Sequence, residues 1–121
     1  MTKVLAYTES SPLVLHTRPA IEMSDEQFYE FCQINRDWRI ERTAEGDLLI
    51  MAPAGGKSGN RNALVTAFLT MWALRDGTGV PFDSSTGFNL PNGATRSPDA
   101  TWMKRSRLAS LTPEQKERFL P

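Results

Sequence analysis

Asp99 follows Ser97 and Pro98 and leads straight into the apolar run Ala100-Thr101-Trp102-Met103. Proline has no N–H to give to a ladder, so it belongs at a strand's first position or on an edge, and the aspartate after it can then sit at the sheet margin. Alternation predicts Asp99, Thr101 and Met103 on one face and Ala100 and Trp102 on the other. A carboxylate that points the same way as half-buried side chains can ligate a hard divalent cation, although most such aspartates cap a turn. The surroundings are basic: from Arg96 to Arg107 the chain carries Arg96, Lys104, Arg105 and Arg107, with Asp99 the only acid. That setting suits a phosphate-bearing ligand, and a solvated strand end is the plainer alternative. Between Glu9 and Asp47 the balance reverses, with nine acids against four arginines.

Other reactive residue types are scarce. Glu41 alternates with Ile40 and Arg42 in the run Trp38 to Thr43, which places it on the polar face by parity; a cation across the strand is its expected partner. Cys32 is the only cysteine, which forbids an internal disulfide and predicts a reducing compartment. His16 is the only histidine, so a histidine-based zinc site is excluded and a Ser-His-Asp or Cys-His set disfavoured. Gly55-Gly56-Lys57-Ser58 invites a phosphate-loop reading, but the pattern needs a glycine where Met51 stands. A flexible connector whose Ser58 or Asn60 caps the next helix is the reading that remains.

A chain of 121 residues makes one domain at most. Its 40% apolar and 23% charged composition is ordinarily globular, and 14 cations balance 14 anions, so no global field draws it to nucleic acid or an acidic membrane. The run Val4 to Ala6 is too short for a signal segment and no stretch reaches membrane-spanning length, which predicts a soluble, cytoplasmic protein.

The elements that must hold these groups can be read in order. Residues 1–20, with Pro12, Pro19 and the triplet Leu13 to Leu15, form an extended arm or an added edge strand. Ser24-Asp25-Glu26-Gln27 spells a capping box, with Met23 and Phe28 as a hydrophobic staple, so a helix runs to about Asn35 and docks through Phe28, Phe31 and Cys32. Trp38 to Thr43 and Leu48 to Ala52 are strands joined at Gly46. Arg61 to Arg75 is a helix with no charge from Asn62 to Leu74, whose stripe of Leu64, Phe68, Met71 and Trp72 must be covered on most sides. Val80 to Asp83, Phe88 to Leu90 and Ala100 to Met103 are strand-like around the turn Pro91-Asn92-Gly93, and Thr112-Pro113-Glu114-Gln115 opens another helix.

The segments WRIERTAEGDLLIMAPAGGKSGNRN, FDSSTGFNLPNGATRSPDATWMKRSR and LTPEQKERF resemble the Uma2 family, grouped with restriction endonucleases, over about Ile21 to Pro121. The resemblance implies a PD-(D/E)xK nuclease-like α/β (α+β) fold, a mixed β-sheet flanked by helices. It implies a Mg²⁺- or Mn²⁺-dependent DNA endonuclease in which Asp99, from Pro98-Asp99, is the first metal ligand. Glu41 matches an acid in the family's first hairpin and is the second candidate catalytic residue; Arg96 and Lys104 are the candidate nucleic-acid contacts. Family members continue into a further strand bearing a second acid and then a lysine. The resemblance therefore implies that residues 21–121 are the N-terminal portion of such a domain, weak in metal binding and nearly inactive alone. A non-catalytic binding module with a homodimer interface, or one half of a split nuclease, is the alternative.

Overall fold

The computed structural model describes residues 12–121. Residues 1–11, with most of the expected arm and the run Val4 to Ala6, lie outside the described residues. The described part of the arm supplies β1 (Leu13–Leu15), which adds an edge strand to the hairpin of β2 (Arg39–Arg42) and β3 (Leu48–Met51). That hairpin turns through Gly46 at φ +96°, a left-handed conformation that glycine adopts without a Cβ penalty. A second hairpin, β5 (Phe88–Asn89) with β6 (Thr95–Arg96), turns at Gly93 and docks through β6 on β2, giving the five-stranded order β1-β3-β2-β6-β5. All its ladders are antiparallel; one parallel bridge joins Phe88 to Leu120. β4 (Gly79–Asp83) and β7 (Ala100–Lys104) form a separate antiparallel ribbon, Phe82 opposite Thr101 and Val80 opposite Met103.

Helix α1 (Asp25–Ile34) begins at the box the sequence spells. Ser24 Oγ accepts from the Gln27 N–H at 3.1 Å, and Gln27 Oε1 accepts from the Ser24 N–H at 2.9 Å. Its Phe28 is wholly buried against Ile40 and Leu48, with Met23, Phe31, Cys32 and Phe119 around them. Burying such a ring stabilises by about 1.5–3 kcal/mol, so this contact seats α1 on the sheet. Arg42 locks the seat. It stacks over Phe28 at 4.7 Å, pairs with Asp25 at 2.5 Å and donates to the Met23 carbonyl at 3.1 Å.

Helix α2 (Gly56–Asp76) corrects two expectations. It starts five residues earlier than predicted: Gly55, extended at ψ 165°, is the cap, and neither Ser58 nor Asn60 caps anything. The supposed connector is the first helical turn. The apolar stripe is also largely bare, with Leu64, Phe68, Met71 and Leu74 all exposed. The ribbon takes a neighbouring stripe instead, where Thr66, Leu69 and Thr70 are half buried and Ala73 is buried. Small and short side chains at helical spacing let the helix approach the ribbon closely. Trp72 of the predicted stripe also reaches it, edge-on to Trp102 at 5.5 Å. Gly77 at φ +76° ends the helix.

Two short helices follow, α3 (Arg105–Ala109) and α4 (Pro113–Glu117), the second capped reciprocally by Thr112 and Gln115. A second core of Phe88, Met103 and Leu120 joins the ribbon to the five-stranded sheet. Of the strand-like runs around the Pro91 turn, Val80 to Asp83 and Ala100 to Met103 do pair, as β4 and β7, but Phe88 to Leu90 does not join them: its partner is β6, only two residues long, and the chain leaves the first sheet at Ser97 to reach the ribbon. Among the described residues no helix is long and apolar enough to cross a membrane.

Candidate functional site around Asp99

The passage from β6 to β7, Ser97-Pro98-Asp99, crosses from one sheet to the other, and three side chains hold its main chain. Glu41 Oε2 accepts from the Ser97 N–H at 2.8 Å, Arg39 Nη2 donates to the Ser97 carbonyl at 2.5 Å, and Thr66 Oγ1 donates to the Asp99 carbonyl at 3.4 Å. Arg39 and Glu41 stand two apart on β2 and so share a face. Thr66 lies on the face of α2 that meets the ribbon.

Asp99 itself is exposed, one residue ahead of β7. It lies ahead of the ladder and lines a different cavity from Thr101 and Met103, with which alternation grouped it. The residue instead lines an open cleft of about 410 Å³ together with Arg39, Ala54, Gly55, Ser58 and Asn62. Among the described residues no hydrogen bond or ion pair takes up its carboxylate. The same cleft contains the start of α2, whose first N–H groups have no side-chain cap.

Glu41 is in the opposite condition. It is buried, and besides the Ser97 N–H it accepts from Arg96 Nη1 at 3.3 Å, the cross-strand cation expected for it. It keeps the polar face that parity assigns it, shared with Arg39, yet it is buried there, as are Ile40 and Arg42 on the opposite face. Among the described residues, no group of three His, Cys, Asp or Glu side chains is placed to hold a metal ion. Asp99 offers one hard oxygen ligand beside open space. That fits Mg²⁺, which keeps several waters and takes one or two carboxylates along with substrate phosphates.

The basic residues divide. Arg96 and Lys104, with Arg107, line a different and larger cavity of about 700 Å³ walled by Phe88, Leu90, Trp102 and Met103. Asp99 does not line it. The cation in the Asp99 cleft is Arg39, which is absent from the residues the sequence singles out. Its signal is the Arg-x-Glu spacing on β2, legible only once both residues are seen to share a partner.

Cys32 packs beside the first core as a small half-buried side chain. Burial pushes its thiol up to about 11, with Arg42 opposing only in part.

No curated protein matches this chain. A family model described as Uma2, putative restriction endonuclease, matches residues 25–121, a span that includes the Arg39–Glu41 strand, the start of α2 and the Asp99 turn. A match over so much of its length places this chain in the Uma2 family.

Proposed function

We propose that the protein acts on DNA as a Uma2-type nuclease subunit, hydrolysing phosphodiesters with a divalent cation held at Asp99. The observation that carries this is the free Asp99 carboxylate in one cleft with Arg39 and the uncapped start of α2. Such a cleft has a place for each part of a phosphodiester complex. Asp99 would hold Mg²⁺ or Mn²⁺, and a bound ion would supply charge to polarise the phosphoryl group and activate water. Arg39 uses one N–H on Ser97 and has others to orient a phosphate oxygen. The first N–H groups of α2, at the positive end of a 21-residue helix, favour the same anion. Lys104 and Arg107 would engage the backbone farther along.

One carboxylate grips magnesium weakly, so strong activity calls for a second acid and a lysine beside Asp99. Plasmid nicking with Mg²⁺ or Mn²⁺ tests the reading. Slow nicking that Asp99→Asn abolishes supports it, whereas nicking indifferent to that substitution refutes it.

The bare face of α2 favours a second reading, an assembly module. Leu74 is 77% and Phe68 67% exposed on one helix whose middle carries no charge. Sedimentation at rising concentration decides, since a persistent monomer excludes self-association.

A further inference from the structure

We propose that Arg39 and Glu41 are positioning residues that fix the turn bearing Asp99, with Glu41 acting through the Ser97 main chain and not as an ion ligand. The proposal deepens the nuclease reading and rests on Asp99 being the ion-binding group. Its basis is a complementarity that only this order of residues can make. Ser97 presents an N–H at one pole and a carbonyl at the other; Glu41 takes the first at 2.8 Å and Arg39 the second at 2.5 Å. An ionised carboxylate only accepts and a guanidinium only donates, so exchanging the two residues would leave both poles unmatched. Arg96, the neighbour of Ser97, donates to the other oxygen of Glu41 at 3.3 Å, which fixes the carboxylate from both sides. Pro98 then restricts φ, and Thr66 donates to the Asp99 carbonyl from α2.

The main chain is therefore held at Ser97 and at Asp99, from a strand and from a helix, while the Asp99 side chain is held by nothing among the described residues. That arrangement is what preorganisation of a ligand demands: a rigid support and a free donor. Burial of Glu41, at 9% exposure, removes it from the cleft in which Asp99 lies. To serve as a second ion ligand it would have to abandon Ser97.

Variants carrying Glu41→Gln, Glu41→Ala and Asp99→Asn separate the possibilities by two readouts, Mn²⁺ affinity from electron paramagnetic resonance titration and exchange of the Ser97 amide by NMR. The glutamine side chain keeps an oxygen that accepts from the Ser97 N–H, whereas alanine has none. The proposal expects Glu41→Gln to stay within about twofold of the unaltered protein in Mn²⁺ affinity, and Glu41→Ala to lose about tenfold or more while the Ser97 amide exchanges faster. Asp99→Asn should remove Mn²⁺ binding and leave Ser97 exchange as it was. Equal loss of affinity in both Glu41 variants would make Glu41 a ligand and overturn the proposal. So would a Ser97 amide whose exchange Glu41→Ala leaves unchanged. Should Glu41→Ala fail to fold, the Glu41→Gln affinity decides alone. If the unaltered protein binds no Mn²⁺, the nuclease reading falls by itself, and Ser97 exchange in the Glu41 variants still decides whether the grip exists.

Discussion

The seam around Glu41 and the turn that carries Asp99 meet at Ser97, yet they treat a carboxylate in opposite ways. In the seam Glu41 is buried, and its oxygens are taken by Ser97 and Arg96. On the turn the main chain is fixed and, among the described residues, the Asp99 carboxylate is left free. A buried acid with every partner in place is a structural component, because breaking it strands the groups it satisfied. An exposed acid without partners contributes little to the fold and is available to a ligand. The same residue chemistry thus serves stability in one region and stands open to solvent in the next.

Substitutions should widen or erase that contrast. The largest loss is expected beneath the seam: Phe28→Ala removes the ring under Ile40, Leu48 and Arg42 and should cost about 3–5 kcal/mol in urea unfolding. Glu41→Ala comes next, at about 1–3 kcal/mol by the same measurement, since the Ser97 N–H loses its acceptor. Gly79→Ala, on the ribbon, drives a methyl into the Trp102 indole and should cost about 1–3 kcal/mol. Cys32 gives a pH signature. Its thiol ionises near 9.0 when unperturbed and near 11 when folded, so the unfolded chain releases its proton first and stability falls as pH rises through that interval. Iodoacetamide at about pH 8, below both values, should accordingly label the folded protein slowly and the urea-unfolded protein fast. The smallest effect is expected at Asp99: Asp99→Asn should change the unfolding free energy by less than about 0.5 kcal/mol, and a large loss there would erase the contrast.

Legibility depended on range. The capping boxes at Ser24 and Thr112 and the Gly46 turn are set by a few neighbouring residues, and each lies where the sequence places it. The α2 stripe misleads because periodicity reports which face is apolar, whereas what docks depends on the partner; a two-stranded ribbon accepts the Thr66–Ala73 face and leaves Phe68 and Leu74 in solvent. The strand β6 escapes for a related reason, since an arm of only Thr95 and Arg96 carries almost no strand signal. At the site, Asp99 is legible from Pro98-Asp99 and Glu41's cation from parity. Arg39 is not, because its partner is the Ser97 carbonyl 58 positions away, and a main-chain acceptor leaves no mark in side-chain type.

Paramagnetic broadening by Mn²⁺, read amide by amide across the folded protein, tests most directly whether Asp99 holds the ion. Broadening is predicted to centre on Asp99, to reach Ser58 and Asn62 across the cleft, and to vanish in Asp99→Asn. Broadening centred elsewhere, or undiminished in Asp99→Asn, would contradict that assignment.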